Sequence, residues 1–321
     1  MDWTKISRKA VEAVKPSGAY TNLEDLIRIQ FNARDFSLRP QQPVTSILSG
    51  RYASRLRGRG LNFEELRRYQ PGDDIRTIDW KVTARTRDPY VRVYSEEKDR
   101  QVLLVVDQRI NMFFGTKQKM KSVTAAEVAA LGAWRAVDVG DRVGAVVFND
   151  TDVDVIRPQR SKETVMRILR SVVQKNHQLR ADSDVESNPG MLNDALRKAA
   201  HVAPHDVLVV LISDADGVND ETDRLVAKLA AGNDVIGILV IDPSRLDPAS
   251  ERITVSDGHS QMEVNFGDRK ISDRFVEDAR AEIDRMTHYL RRLSAPLLMV
   301  SNQGDTVGQI RKLLGVPVRG K

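Results

Sequence analysis

The stretch Tyr69–Trp80, YQPGDDIRTIDW, gathers Asp73, Asp74 and Asp79 around Arg76 and ends in Trp80. Carboxylates at this density are the raw material of a metal-dependent hydrolase or nuclease. That chemistry needs acids converging from rigid elements on two metals and an activated water. The local pattern suggests a plainer use. Pro71-Gly72 is a turn pair, Asp73 and Asp74 are turn and cap residues, and Arg76 can satisfy one of these acids or Asp79. Trp80 is large enough to anchor the segment on the α/β domain that follows.

A second pair of acids stands at strand ends: Asp107 closes VLLVVD, and Asp214 follows VLVVLIS. In an open α/β sheet, ligands sit outside the carboxyl ends of strands where the winding reverses. Two carboxylates and a third oxygen could hold Mg²⁺, which keeps several waters. Acids at strand ends also cap helices, so the spacing leaves both uses open. No P-loop, nucleophile elbow or GxGxxG is present, and without cysteine a thiol nucleophile is excluded. The histidines at 177, 201, 205, 259 and 288 lack ligand spacing, and Pro204 keeps His201 and His205 off one helical face. No enzyme activity is expected.

The elements that must position these residues follow from patterning. With 321 residues, 41% apolar and 30% charged, the chain has the balance of a soluble globular protein. The apolar runs Val207–Ile212 and Val235–Ile241 fall far short of the roughly 18 to 20 residues that cross a bilayer. The N-terminus lacks signal-peptide features, so no membrane span and a cytoplasmic location are expected. Net charge is +5, with bases outnumbering acids over 51–100. Arg55, Arg57, Arg59, Arg67 and Arg68 would serve a nucleic-acid grip, but interspersed acids such as Glu64, Glu65, Glu96 and Glu97 break the stripe. Nucleic-acid binding is therefore not expected.

Residues 1–45 read as a docking leader with a short amphipathic helix bearing Leu23, Leu26, Ile27 and Ile29. Residues 46–100 read as a β-rich module, with Tyr90, Arg92 and Tyr94 alternating with Val91 and Val93. From 101 to 321 short apolar strands alternate with helices, which predicts a doubly wound α/β domain. Thr124 and Glu127 stand in capping-box register before a helix over 124–137. Residues 250–266 interrupt the alternation as a surface hairpin.

The segment GRGLNFEELRRYQPGDDIRTIDWKVTARTRDPYVRVYSEEKDRQVLLVVDQRINMFFG (58–115) resembles the signature of the domain of unknown function 58 family. Arg67, Tyr69, Pro71 and Gly72 belong to it, as do Asp73, Asp74, Arg76, Asp79 and Trp80. DRVGAVVFN, NDALRKAA and LISDADG resemble the family's later strands and helices, so the resemblance spans about 50–300. It implies a von Willebrand factor A-like domain behind a smaller β-rich module. It also implies a MoxR-type AAA+ ATPase as partner, since members are often encoded beside one.

Von Willebrand A domains hold a divalent cation through Asp-x-Ser-x-Ser after the first strand, a later threonine and an aspartate after the fourth strand. The matching positions here are Asp107, Arg109, Asn111, Gly190 and Asp214. Arg109 brings a permanent positive charge to the cation's place. Two unit charges several ångströms apart repel by on the order of a few kcal/mol at an effective dielectric of 20, and a dication doubles this. The guanidinium is expected to pair with Asp107 or Asp214 instead. No cofactor is expected; were Mg²⁺ to bind, its ligands would be Asp107, Asn111 and Asp214. The expected function is a non-catalytic adaptor working with a MoxR-type AAA+ ATPase in assembly or maturation of protein complexes. The alternatives are a metal-dependent hydrolase or nuclease using Asp73, Asp74 and Asp79 or Asp107 and Asp214, and a nucleic-acid-binding module using the arginines above.

Overall fold

The computed structural model describes residues 18–35, 61–96, 100–180, 185–248, 252–256, 261–265 and 267–314; Arg55, Arg57 and Arg59 lie outside them. The chain divides into two compact units, residues 51–99 and the remainder.

The leader is built into the larger unit. Helix α1 (Leu23–Arg28) runs into a 3-10 segment, Ile29–Asp35, and Leu26, Ile29 and Ala33 enter the α/β core. Polar ties fix it at several points. Trp134 Nε1 donates to the Leu26 carbonyl at 3.0 Å, Thr21 N to Asn176 Oδ1 at 2.9 Å, and Tyr20 Oη to the Leu179 carbonyl at 2.9 Å. A buried indole N–H needs such an acceptor.

In the smaller unit, β1 (Leu61–Arg68) pairs antiparallel with β2 (Tyr90–Glu96), with a bulge between Phe63 and Glu65. The expected turn is present: Asp73 N donates to the Gln70 carbonyl at 3.0 Å, and Gly72 has φ +109°, a conformation that a side chain would strain. Unlike the purely β-rich expectation, the connection contains a helix, α2 (Trp80–Thr86). It forms because Asp79 Oδ1 accepts from Lys81 N and Val82 N, satisfying two of its free amides. Trp80 is 66% exposed.

The larger unit alternates as the pattern predicts. In chain order it contains β3 (Gln101–Asp107), α3 (Lys121–Asp138), β4 (Arg142–Phe148), β5 (Val153–Gln159), α4 (Lys162–Gln178), α5 (Met191–Val202), β6 (Val207–Ser213), α6 (Asp220–Ala230) and β7 (Asp234–Ile241). There follow β8 (Arg252–Ser256) paired with β9 (Gln261–Asn265) inside the expected hairpin, α7 (Arg269–Arg292), β10 (Leu297–Ser301) and α8 (Thr306–Leu313). The sheet runs β10-β7-β6-β3-β4-β5, parallel except for β5 against β4. Because successive side chains of a strand face opposite ways, β3 feeds two cores. Val102, Leu104 and Val106 pack with α3, α4, α8 and the leader, while Leu103 and Val105 pack with α5, α6 and Leu290.

Helix α3 begins at Lys121 rather than Thr124, so the capping box does not form. Met120 occupies the cap without a side-chain bond, and the Thr124 hydroxyl is buried without a partner. The longer helix brings Lys121 to the carboxyl end of the sheet, where it meets Asp214. Among the described residues no helix is long and apolar enough to cross a membrane.

Leu26 is fully buried, so Leu26→Ala should lower the unfolding free energy by about 2 to 5 kcal/mol. Urea titration followed by circular dichroism measures this. An unchanged midpoint would show that the leader contributes nothing to the fold.

Candidate functional site

From β3 the chain winds outward through β4 and β5, then returns to the other side of β3 as β6. The winding therefore reverses between β3 and β6, and their carboxyl ends place Asp107, Ser213 and Asp214 at one crevice.

Asp107 is buried there, and Arg109, 1% exposed, folds back on it. Arg109 Nε lies 3.0 and 3.2 Å from the two carboxylate oxygens, and Nη2 lies 2.7 Å from Oδ2. Arg109 N also donates to Oδ1 at 3.0 Å, and Ser213 Oγ to Oδ2 at 2.7 Å. The far side of the guanidinium meets carbonyls: Nη2 donates to Asp216 O at 3.0 Å, and Nη1 reaches Pro189 O at 3.4 Å. The Phe148 ring lies 5.6 Å from its central carbon. Burial works against the charge of Arg109, but Asp107, with Asp214 and Asp216 behind it, more than reverses this and holds the guanidinium above its ordinary value.

Asp214 has a cation of its own. Lys121 Nζ donates to its Oδ2 at 2.6 Å, and Asp216 N to its Oδ1 at 3.0 Å. Burial alone would raise this carboxyl; Lys121, the Asp216 amide and Arg109 together bring it below the usual aspartate range. Between them Ala215 takes a left-handed φ of +61°, costing on the order of 1 kcal/mol, and the turn directs the Asp216 carbonyl to Arg109.

Asn111 belongs to a second ring of contacts. Its Nδ2 donates to Asp216 Oδ2, and its Oδ1 accepts from Ser187 Oγ at 3.3 Å. Asp150 ties the loops together by accepting from Ile110 N at 2.6 Å and Asn188 N at 2.9 Å. Burial raises its pKa, opposed by those amides and by Arg109. Gly190, matched to the threonine of a cation site, caps α5 without a side chain, and its neighbour Pro189 supplies a carbonyl instead. The structure thus joins Asp107 to Arg109 directly, and Asp214 and Asn111 to that pair through Asp216, while Lys121 is held by Asp214.

This donor set does not fit a divalent cation. The position nearest Asp107 is filled by a guanidinium, and Asp214 already holds an ammonium. Among the described residues no group of three or more His, Asp or Glu is placed to hold a metal.

The acids of the signature segment are dispersed rather than convergent. Asp73 accepts from Arg67 Nη1 and Nη2 at 2.8 and 2.7 Å, and this bond, followed by one from Gln70 N, holds its pKa below the ordinary value. Asp74 caps Arg76 N at 3.0 Å, while Asp79 caps α2. Arg68 pairs with Asp88 at 3.1 Å. Sequence reasoning missed Lys121, Asp150, Ser213 and Asp216. Ser213 and Asp216 flank Asp214 and were within reach of inspection; Lys121 and Asp150 carry no spacing signal.

Residues 65–285 match the family model described as Protein of unknown function DUF58. Over 317 residues the chain is 29% identical to the uncharacterized protein Rv1480 of Mycobacterium tuberculosis and to the uncharacterized protein Mb1516 of Mycobacterium bovis, with 97% of each chain covered. Similar solved structures include BatB from Bacteroides thetaiotaomicron, at 14% identity and a TM-score of 0.40, covering 67% of this chain and 98% of that one. The SpRpn10 VWA domain is 11% identical with a TM-score of 0.37, covering 70% of this chain and all of that one. The α/β unit itself is built on a six-stranded, mostly parallel sheet.

Two stability predictions follow from the ion pairs. Arg109→Ala leaves a carboxylate buried without its cation and should cost about 3 to 5 kcal/mol in urea unfolding; a loss below 1 kcal/mol would show that the pair carries little. Asp214 has a depressed folded pKa, so its stabilisation is present above the unfolded value of 3.8 and is lost as pH falls through the lower folded value. Lys121→Ala should therefore destabilise at pH 7 and progressively less as pH falls below about 4. A deficit independent of pH would contradict the pairing.

Proposed function

The chain belongs to the DUF58 family, and from that premise we propose that it is a non-catalytic interaction protein, an adaptor or substrate-presenting partner of a MoxR-type AAA+ ATPase. The observation that carries the reading is the state of the strand-end acids: Asp107 is held by Arg109 and Asp214 by Lys121. A hydrolase working there would need a carboxylate to bind a metal or accept a proton from water. Both are engaged by cations of the chain itself. The acids of the signature segment offer no better centre, because Asp73, Asp74 and Asp79 are spent on an ion pair, a turn and a helix cap.

The loops at this end of the sheet are cross-tied, which favours a preorganised contact surface. The ATPase assignment comes from the family resemblance, and the role it suggests is assembly or maturation of protein complexes.

The test is reconstitution with the MoxR-type ATPase of the same organism. The purified chain should be retained by the tagged ATPase, with retention differing between ATP and ADP. It should cleave neither DNA nor RNA in millimolar Mg²⁺ or Mn²⁺. No retention in either nucleotide state would remove the partner, and metal-dependent cleavage lost in Asp107→Asn or Asp73→Asn would replace the adaptor reading with a nuclease.

A further inference from the structure

Ile75 and Trp80 are 62% and 66% exposed, the two most exposed large apolar side chains among the described residues. They are not on a loose loop. Ile75 opens a 3-10 turn capped by Asp74, and Trp80 opens α2, capped by Asp79. Asp79 N donates to the Tyr90 carbonyl at 2.8 Å, and Ile78 bridges to Val91, which ties both elements to β2. A rigidly presented indole can cover a large apolar area at little entropic cost on binding.

The charges around it are unequal in kind. Asp73 and Asp88 are paired with Arg67 and Arg68, and Asp74 and Asp79 accept backbone amides. Arg76, Lys81, Arg85 and Arg87 are exposed, and their side chains have no hydrogen-bond or ion-pair partner among the described residues. At about 100° per residue, Trp80 and Ala84 share one side of α2, with Lys81 and Arg85 along its margin, and Arg87 caps its carboxyl end. Ala84, small and exposed, leaves room beside the indole for a partner's side chain.

We infer that Ile75 and Trp80, rimmed by Arg76, Lys81, Arg85 and Arg87, form a docking surface for an acidic protein segment carrying apolar side chains. The inference rests on the reading of this chain as an interaction protein and names the chemistry of its partner. Tryptophan and arginine are the residue types that dominate binding at interface centres, and the free cations complement acids at the rim. A nucleic acid fits less well. Bases and acids are equally numerous over 61–96, and the exposed Asp74 and Asp88 interrupt any phosphate track.

The test uses the full chain and fluorescence anisotropy of three labelled probes: a 14-residue peptide of alternating glutamate and leucine pairs, its lysine counterpart, and an oligothymidylate of about 20 nucleotides. The acidic peptide should bind saturably and more tightly than either other probe. Trp80→Ala and the double variant Lys81→Glu/Arg85→Glu should each weaken it at least tenfold without lowering the melting temperature. Arg224→Glu, an exposed change on α6, should leave binding as it was. The inference is overturned if the acidic peptide fails to bind, if the lysine peptide binds equally, or if the double variant binds normally. Tight oligonucleotide binding with a steep salt dependence, lost in the double variant, would assign the surface to nucleic acid instead. Retention of the ATPase by the double variant would leave the adaptor reading standing while removing this surface from it; peptide binding without ATPase retention would do the reverse.

Discussion

The buried pair of Asp107 and Arg109 is the interaction on which the end of the sheet depends. Taking a carboxylate and a guanidinium out of water costs several kcal/mol per ion and is recovered only when the remaining donors and acceptors are filled. Here they are filled from three loops. Ser213 and the Arg109 amide complete the carboxylate, while the carbonyls of Asp216 and Pro189 take up the guanidinium. The charge pair therefore fixes the loops after β3 and β6 and the one before α5 relative to each other. A dication in this position would draw acids and hydroxyls towards itself; the arginine draws backbone carbonyls.

Such a site requires a rigid base, and the sheet supplies it. β3 is buried on both faces, so neither its register nor its end can shift without disturbing two cores. The leader adds to one of them by placing Leu26 against α3 and spending the Trp134 N–H on its own carbonyl. Further along the same edge, Asp242 after β7 plays a similar part. It accepts from Thr116 N and Oγ1, Ser244 N and Asn302 Nδ2, and these bonds outweigh its burial and hold its pKa at about 2. Carboxylates at strand ends in this fold act as ties between loops.

Much of this architecture is legible in the sequence because periodicity is a local property. VLLVVD and VLVVLIS are continuous apolar runs, as strands buried on both faces must be, and the helices between them have apolar faces. The departure of Arg109 from a hydroxyl is equally local, and the charge it carries is sufficient to anticipate an ion pair. Which acid it takes was not legible, because Lys121 competes for Asp214 from the first turn of α3. That lysine lies in the site only because the helix starts before the Thr124 that looked like its cap. Asp150 and Pro189 arrive from loops far along the chain, and only the folded topology brings them together. In the smaller unit, the alternation around Val91 gave away the strands, but α2 rests on one capping carboxylate, Asp79, that reads equally well as a turn residue or a ligand.

The central claim is that Arg109 and Lys121 take up the strand-end acids Asp107 and Asp214 and leave no place there for a divalent cation. Titration of Mn²⁺ into the full chain, followed by the electron paramagnetic resonance signal of the hexaaqua ion, tests it most directly, because bound Mn²⁺ disappears from that signal whatever its effect on stability. The account predicts that the signal grows with added Mn²⁺ as it does in buffer. A stoichiometric loss of signal at micromolar Mn²⁺, abolished by Asp214→Ala, would contradict it and restore a metal to the site.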